Sequence, residues 1–324
     1  MLSAYRGPAP LRPQCQTKIR IGLSVNEFSS KGNTVKRHSD WVRQSVLSSW
    51  DQLLARREVA ARVVPMRVVS RSIAIYKTFG PGELAARVME RIRPPHPMSI
   101  RDICGSNAVV VREPEECISA LAGALGLAAP AGADIARWEG EWTDLADALQ
   151  VPSRGEYLVE YDVEKKTARS LYLITRWRQP KVILETGIAR GASSYAFLSA
   201  VNKNGVGEVF SLDVDEAAGE LVPPELQLAW QKSVVDPKNP KTSFLSIIKD
   251  VPSIDFFFHD SNHREPWMQF EFTNVIPKLS PGAIMGGDDV DMNAAFVEAP
   301  LPRAFRVILL DGRKASGFAV SSAT

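Results

Sequence analysis

Long apolar runs are absent from this chain of 324 residues, so no segment has the ~20 consecutive apolar residues of a membrane-spanning helix. The composition is that of an ordinary water-exposed globular protein, with 45% hydrophobic and 23% charged residues. The length allows one catalytic domain of usual size and about one further unit, at ~100–200 residues per domain. The sequence therefore predicts a protein without a membrane segment.

Cysteine is scarce. Cys15, Cys104 and Cys117 are the three in the chain, and they lie too far apart to form a CxxC pair. This spacing argues against a cysteine zinc site and against a disulfide framework, and it is typical of a protein from a reducing compartment. We therefore predict a cytoplasmic location.

Net charge is also small, at +2, but it conceals an asymmetry between the two parts of the chain. Residues 1–111 contain 18 Lys and Arg against 7 Asp and Glu, whereas the remainder contains 21 against 30. A basic half could bind nucleic acid or an acidic partner. Its positive residues are spread among helical patterns and form no run, which favours a solvated, partner-facing surface and leaves a homo-oligomer open.

The N-terminal part is predicted to contain an arm and an auxiliary domain. Residues 1–38 have a single acid before Asp40, as an organelle transit peptide would, but Pro8, Pro10 and Pro13 break any amphipathic helix there. A flexible arm is the favoured interpretation. Residues 39–150 show helical patterns and one short apolar β-type run at 107–111, which predicts a mainly helical or mixed auxiliary domain that completes a substrate pocket or an oligomer interface.

Strands and helices alternate from about residue 156 to the end at 324. The predicted strands are Val182–Glu185, Val209–Asp213, Ile254–His259 and Ile284–Gly287, with a less defined one within Leu228 to Val235 and a hairpin of Phe305–Leu310 and Phe318–Val320. Apolar strands without alternation are typical of a parallel sheet covered on both faces. The sequence therefore predicts a doubly wound α/β domain that ends in an antiparallel hairpin.

A glycine-containing turn, VILETGIARGASS, follows the first of these strands. Gly187 would permit a sharp turn, Gly191 would let the backbone approach a ligand, and amides near Ser193 would be free at the start of the next helix. The turn lacks the GxGxxG pattern of dinucleotide folds and the lysine of a phosphate-binding loop. It suits a ligand with a carboxylate and a nucleoside, although such turns also occur without a ligand.

Acidic residues end the next two strands. Asp213 follows Gly187 by 26 positions, roughly where an α/β nucleoside site places an acid on the ribose hydroxyls. Asp215 is the reserve candidate, and the competing interpretation is an acid in an exposed loop. Asp236 follows the less defined third strand.

Taken together, the stretches ETGIARG, SLDVD, IDFFFHDSNH and LSPGAIMGGDDV resemble the class I S-adenosylmethionine-dependent methyltransferases. Within that class the sequence is most similar to the small-molecule O-methyltransferase branch that includes macrolide-sugar methyltransferases and cephalosporin-hydroxylase-like proteins. The resemblance covers about residues 156–324 and implies a seven-stranded, mostly parallel Rossmann-like sheet. One departure is Ala189, which replaces the middle glycine of the usual loop and would loosen its backbone geometry.

The resemblance also implies roles for particular residues. The methionine end of S-adenosylmethionine would lie against Glu185, Gly187 and Gly191. Its ribose would bind Asp213, and its adenine would lie near Asp236.

Three further acids, Asp260, Asp288 and Asp289, follow the fourth and fifth strands. Converging carboxylates repel one another unless they are protonated, paired with a base or bridged by a cation, and oxygen ligands suit Mg²⁺. The resemblance implies that these three bind a divalent metal. Asp288 and Asp289 are adjacent, so both can do so only if the strand has ended at Gly287. The competing interpretation is one acid that caps a helix and one in a salt bridge.

Methyl transfer to a hydroxyl needs a general base, and His263 and His259 are the candidates because imidazole titrates near neutrality. His263 is preferred, since it lies beyond the strand end beside Asp260. His259 lies within the strand, where a histidine is more often structural. The aromatic residues that follow, from Trp267 to Phe272, are more typical of a helix core than of a substrate wall.

We therefore predict a cytoplasmic, S-adenosylmethionine-dependent O-methyltransferase that acts on a hydroxyl of a small molecule, such as a natural product or its sugar, with the help of Mg²⁺. Three alternatives remain open at this point. They are a metal-independent methyltransferase for amines or carboxylates, a hydroxylase-like relative, and a nucleic-acid-modifying methyltransferase that uses the basic N-terminal half.

Overall fold

The structure is a computed structural model, and it describes residues 98–99, 102–103, 107–152, 162–312 and 314–321. All of these residues belong to one compact unit that spans Pro65–Thr324. The predicted arm at 1–38 and the helical patterns predicted before residue 94 lie outside the described residues. None of the described helices is both long and apolar enough to cross a bilayer.

The described strands form a single sheet. They are β1 Ala108–Val111, β2 Val182–Thr186, β3 Glu208–Asp213, β4 Trp230–Val234, β5 Ile254–His259, β6 Leu279–Gly287, β7 Ala304–Asp311 and β8 Lys314–Ser321. Their order across the sheet is β1, β7, β8, β6, β5, β2, β3, β4. Neighbouring strands are parallel except where β8 pairs with β6 and with β7. This confirms the predicted mostly parallel sheet with a C-terminal antiparallel hairpin.

Helices cover both faces of the sheet. They are α1 Pro114–Ala124, α2 Gly132–Ala146, α3 Lys165–Arg178, α4 Ala192–Asn204, α5 Pro240–Asp250, α6 Glu265–Val275 and the short α7 Ala295–Glu298. Three 3₁₀ helices occupy Asp147–Gln150, Pro224–Ala229 and Ile276–Lys278. The strands therefore lose their contact with water on both sides, which is why they read as continuous apolar runs.

Strand β5 shows how the two cores are divided. Phe256 and Phe258 point into a cluster formed with α1 to α4, whereas Phe257 points into a second cluster formed with α5, α6 and α7. Successive side chains of a strand point to opposite faces. The run of three phenylalanines, each at most 1% exposed, therefore serves both cores at once.

The sheet has eight strands among the described residues, one more than the seven expected. The additional edge strand is β1, whose Val109 pairs with Val307 of β7. Helices α1 and α2 contribute Leu121, Trp138 and Trp142 to the same core as α3 and α4. Residues 108–146 thus extend the sheet and its helical layer, whereas the sequence predicts an auxiliary unit over 39–150.

The carboxyl ends of β2 and β5 approach each other closely. Gly187, the first residue after β2, has φ +85°, and a Cβ placed on it would lie 2.0 Å from the carbonyl oxygen of Asp260. The amide of Asp260 in turn donates to the Thr186 carbonyl at 2.7 Å. Only glycine fits this junction, because any side chain would push the two loops apart.

We expect Gly187→Ala to destabilise the fold by about 3 kcal/mol or more, since it adds a backbone clash to a left-handed conformation. Gly205→Ala is the matched control. Gly205 also has a left-handed φ, +67°, but a Cβ placed on it at the end of α4 would have no heavy atom within 4 Å. That control should lose only about 1 kcal/mol. Urea unfolding measures both, and equal losses would show that the β2 and β5 loops do not need this contact.

Candidate functional site

The candidate site lies where the strand order reverses. The chain runs outward from β2 through β3 to β4, and then returns to β5 and β6 on the other side of β2. In such sheets the crevice outside the carboxyl ends of the strands at this switch point is the usual place for a ligand. Every candidate residue predicted from the sequence lies at or just beyond this edge of the sheet, or in the first turn of the helix that follows.

The loop from Gly187 to Gly191 joins β2 to α4 and has three left-handed residues. Gly187 and Gly191 have φ +85° and +94°, and Ala189 has φ +46°. The sequence predicts that alanine at this position loosens the loop. Instead, Ala189 adopts a glycine-type conformation at a conformational cost. The first-turn amides of α4 begin directly at the end of this loop, at Ala192.

Asp213, predicted to bind a ribose, lies at the end of β3 beside this loop. Its Oδ2 accepts the backbone N–H groups of Ile188 at 2.7 Å and Ala189 at 3.1 Å. Its Oδ1 accepts the N–H of Asp215 at 3.0 Å. The carboxylate therefore fixes the loop, in addition to any ligand contact, and its role toward a ribose stays a prediction. Asp215 itself accepts the N–H of Ala217 at 2.9 Å.

Glu185 and Ser193, both predicted to contact the cofactor, are buried beneath the loop. Glu185 is fully inaccessible, and its Oε1 accepts the hydroxyls of Ser194 and, at 2.6 Å, of Ser211. Burial raises the pKa of Glu185 to about 7, even though these hydroxyls favour its charged form. Ser193 is 2% exposed in the first turn of α4. Both side chains are therefore packed inside the protein and leave almost no exposed surface for a ligand.

Asp236, predicted to lie near an adenine, follows β4 and is exposed. Its Oδ1 accepts the N–H of Lys238 at 2.9 Å, and its Oδ2 accepts the side-chain amide of Asn239 at 3.0 Å. These hydrogen bonds lower the pKa of Asp236. Together with Asn239 and Ser243 it lines a shallow cleft at the start of α5.

The three acids predicted as metal ligands lie just beyond two neighbouring strands. Strand β6 ends at Gly287, so the condition under which Asp288 and Asp289 can face the same site is met. The amide of Asp288 still donates to the His259 carbonyl at 2.8 Å, and Asp289 then turns the chain with φ +48°. Asp260 occupies the corresponding position after β5.

The negative charges of these three acids repel one another. Burial, followed by repulsion from Asp288 and Asp289, raises the pKa of Asp260 well above its usual value. Burial and Asp289 likewise raise the pKa of Asp288 to about 6, against the hydrogen bond that it accepts from Ser316 at 2.7 Å. The ammonium of Lys314 lies 3.5 Å from Asp289 and offsets part of the negative charge.

A divalent cation fits the donor chemistry of this set, because Mg²⁺ takes oxygen ligands. Within the described ranges, however, no group of three or more His, Cys, Asp and Glu side chains is assembled closely enough to hold a metal ion. The carboxylates of Asp260, Asp288 and Asp289 would therefore have to draw together around a cation. Their role as ligands stays a prediction.

His263, the preferred candidate base, lies between two of these acids. Its Nε2 is 3.7 Å from Asp260 Oδ1 and 3.8 Å from Asp289 Oδ2. Removal of the ring from bulk water, and then the neighbouring His259, lower the pKa of His263 to about 4. The imidazole is consequently neutral at physiological pH and able to accept a proton.

His259 is held differently. It is fully buried, and its Nδ1 is 2.6 Å from Glu271 Oε2. Its ring packs edge-on against that of His263, with centroids 5.5 Å apart. The described contacts thus give it a structural partner and no access to solvent, and its predicted catalytic role has no support from its position.

Sequence reasoning missed Glu271, on α6, which is 1% exposed. Besides His259, it accepts hydrogen bonds from Thr186 at 2.6 Å, Ser261 at 2.8 Å and Trp267 at 2.6 Å. These donors come from β2, from the loop after β5 and from α6, so one buried carboxylate ties the floor of the site together. The signal in the sequence was an acid on an otherwise apolar helix face.

The aromatic residues of α6 divide between core and surface. Met268 and Phe272 are fully buried, as the core interpretation predicts. Trp267 and Phe270 are partly exposed and pack with Phe244, with ring centroids 5.3 to 6.3 Å apart. The sequence also gave no indication of Arg190, a buried arginine within the loop after β2.

Residues 184–290 match the family model for a methyltransferase domain. This range is about a third of the chain, and it contains every site residue predicted from the sequence. No curated protein matches the sequence.

Solved structures of methyltransferases resemble the chain at low identity. The O-methyltransferase TomG from Streptomyces achromogenes, involved in tomaymycin synthesis and solved with SAM, is 18% identical over 51% of this chain and 84% of that one, with a TM-score of 0.40. An O-methyltransferase from Bacillus cereus in complex with SAH is 14% identical over 64% and 97%, with a TM-score of 0.42. The MycE methyltransferase from the mycinamycin biosynthetic pathway, solved with Mg, SAH and mycinamycin VI, is 13% identical over 46% and 48%, with a TM-score of 0.35.

The matched range holds the strands at the switch point, the glycine-containing loop and the acids that follow β3, β5 and β6. The sheet around it is mostly parallel and ends in the antiparallel hairpin that the class I fold implies. Residues 184–290 therefore match a methyltransferase domain, and they lie within a mostly parallel Rossmann-like sheet.

Proposed function

We propose that this chain is a class I S-adenosylmethionine-dependent methyltransferase, that it transfers the methyl group to a hydroxyl of a small molecule, such as a natural product or its sugar, and that a divalent metal, Mg²⁺, assists. The observation that carries the proposal is the position of His263. Its neutral imidazole lies within 4 Å of two carboxylates at the switch point, beside the loop that would hold the cofactor.

The loop after β2 and the acid after β3 would hold S-adenosylmethionine. Left-handed Gly187 and Gly191 let the loop turn sharply between β2 and α4, and its backbone would receive the ligand. Asp213 ends β3 beside this loop and accepts the Ile188 and Ala189 amides, and its carboxylate would also meet the ribose hydroxyls. When bound, the cofactor supplies an electrophilic methyl group on a sulfonium.

The acids after β5 and β6 would hold the metal. Asp260, Asp288 and Asp289 offer oxygen donors of the kind that Mg²⁺ prefers, and the repulsion among them would be relieved by a cation. When bound, the metal supplies a positive charge that lowers the pKa of an acceptor hydroxyl. The carboxylates fix the place of that charge and hence the orientation of the acceptor.

His263 would remove the proton from the acceptor hydroxyl. Its Nε2 faces Asp260 and Asp289, which stabilise the imidazolium that forms. The ring of His259, which is held by Glu271, packs edge-on against the ring of His263. The deprotonated acceptor oxygen would then be able to take the methyl group that the bound cofactor supplies.

Cofactor binding tests the first part of the proposal. Isothermal titration with S-adenosylmethionine should show binding to the wild type, and Asp213→Ala should weaken it by roughly 10- to 100-fold, the value of hydrogen bonds to a charged group. Asp213→Asn should weaken it less, since an amide oxygen still accepts the loop amides. Glu216→Ala, which removes an exposed acid nearby, is the control and should stay within about threefold of wild type. The proposal fails if the wild type does not bind, and the ribose role alone fails if Asp213→Ala binds equally well.

Metal removal tests the second part. EDTA treatment should abolish methyl transfer to a hydroxylated acceptor found by screening with methyl-labelled cofactor, and Mg²⁺ should restore it. Cofactor binding should survive. Asp260→Asn and Asp288→Asn should lose Mg²⁺ binding in calorimetry with S-adenosylhomocysteine present. Asp250→Asn, at the far end of α5, should keep it. Full activity of a protein shown to be metal-free would contradict the metal role.

Substitution of His263 tests the base. His263→Ala should reduce kcat by about 10²- to 10⁴-fold, the usual contribution of general base catalysis, without a change in the Kd for S-adenosylmethionine. Asn262→Ala, at the adjacent position, is the control and should keep kcat close to the wild-type value. If kcat of His263→Ala stays within a few-fold of wild type, another group removes the proton. A methylated amine or carboxylate among the products would reject the hydroxyl as acceptor.

A further inference from the structure

Arg190 lies in the middle of the loop that would hold the cofactor, and its side chain is fully buried. A guanidinium removed from water is costly unless it is paired and fully hydrogen-bonded. None of the roles described for the loop uses this side chain. The contacts that keep it buried therefore show what it does for the loop.

Three different segments of the chain hold the guanidinium. Its Nη1 is 3.0 Å from Asp162 Oδ2, and its Nε is 2.9 Å from Glu220 Oε1. Its Nη2 donates to the carbonyl oxygen of Val151. Asp162 and Val151 lie before α3 and Glu220 lies after β3, so the head group links the loop to segments that are distant from it in sequence.

The backbone of the loop is held from the same side. The N–H of Gly219 donates to the Ala189 carbonyl at 2.9 Å, and the N–H of Leu221 donates to the Arg190 carbonyl at 2.8 Å. A Cβ on Gly191 would lie 3.1 Å from the Cα of Gly219. The segment 219–221 thus lies directly against the loop, and the ion pair between Arg190 and Glu220 fastens the two together.

The loop needs such support because Ala189 is left-handed, with φ +46°. An alanine avoids this conformation unless the surroundings enforce it. On its other side the loop has the carboxylate of Asp213, which accepts the Ile188 and Ala189 amides. The loop is thus held at its amides by Asp213 and at its side chain by the partners of Arg190.

We infer that Arg190 is a positioning residue for cofactor binding: its buried guanidinium, fixed by Asp162, Glu220 and the Val151 carbonyl, holds the loop in the conformation that receives the methionine end of S-adenosylmethionine. The inference rests on the proposed cofactor site. A purely structural role would appear in stability alone, since removing one partner of a buried ion pair destabilises a fold. The effect of Arg190 should appear in cofactor affinity beyond any loss of stability.

The test compares two buried arginines. Arg190→Met keeps the apolar stem and removes the head group. We expect its Kd for S-adenosylmethionine to rise at least about tenfold in calorimetry. Arg176→Met is the matched control, because Arg176 is 9% exposed and its Nε is 3.0 Å from Glu141, in a contact between α3 and α2. The control should bind within about twofold of wild type. Wild-type affinity in Arg190→Met, or an equal loss in both variants, would overturn the inference.

A second substitution in the loop tests the link to Ala189. Glycine adopts the left-handed conformation readily, so Ala189→Gly combined with Arg190→Met should recover about fivefold of the lost affinity. Ala189→Gly in the wild-type background should change the Kd less than that. A double variant that recovers nothing would show that Arg190 does not act through this conformation.

Amide hydrogen exchange separates failure of the inference from failure of the proposed cofactor. Arg190→Met should speed exchange at the loop amides 187–191, and Arg176→Met should not. If the wild type does not bind S-adenosylmethionine, the proposed cofactor site fails, and unchanged loop exchange would reject the positioning role as well. If Arg190→Met does not fold, Glu220→Gln is the alternative variant, because it changes a partner that is 25% exposed. It should also weaken cofactor binding and speed exchange at the loop amides, each to a smaller extent.

Discussion

The site depends on the contact between the ends of two parallel strands, β2 and β5. Gly187 has no side chain, so the carbonyl of Asp260 can lie where a Cβ would otherwise be. The loop that would bind the cofactor and the loop that carries Asp260 and His263 are thereby brought into direct backbone contact. A methyl donor and an acceptor must meet within a few ångströms for transfer. The closeness of these two loops is therefore the structural requirement on which the proposed chemistry rests.

Several buried carboxylates lie around this contact, and they differ in the hydrogen bonds that they accept. Glu185 meets two serine hydroxyls, and its pKa nonetheless rises to about 7. Glu271 collects four donors, which lower its pKa despite burial. Among the described residues no such set of donors meets Asp260, and its pKa rises well above the usual value. The hydrogen-bonded carboxylates of Glu185 and Glu271 hold the site together. Asp260, by contrast, has the strongest tendency to bind a proton or a cation. A strongly shifted pKa of this kind is common among functional groups.

The sequence predicted β2, β3 and β5 to within one residue at each end because they are covered on both faces and therefore read as apolar runs, whereas β6 begins at Leu279, five residues before the predicted Ile284. The third strand, β4, was the least defined, since it lies at the edge of the sheet with its side chains mostly exposed. Helices α2 and α5 were not predicted. In α2, Trp138 and Trp142 are spaced by one turn, but the rest of the helix is too polar to stand out. The eighth strand, β1, was recognised as a β-type run, but its partner β7 lies far away in sequence.

The sequence by itself determined the order of strands and helices, the glycine loop and the acids at the strand ends, because these follow from local periodicity and from residues next to one another in the chain. Only the tertiary structure decided which charged and polar partners those residues meet. It buried His259 on Glu271, left His263 between Asp260 and Asp289, and enclosed Arg190 among partners drawn from three segments. Such contacts join residues that are distant in sequence, and hydrophobic patterns record which residues are buried but not which polar partners meet them there.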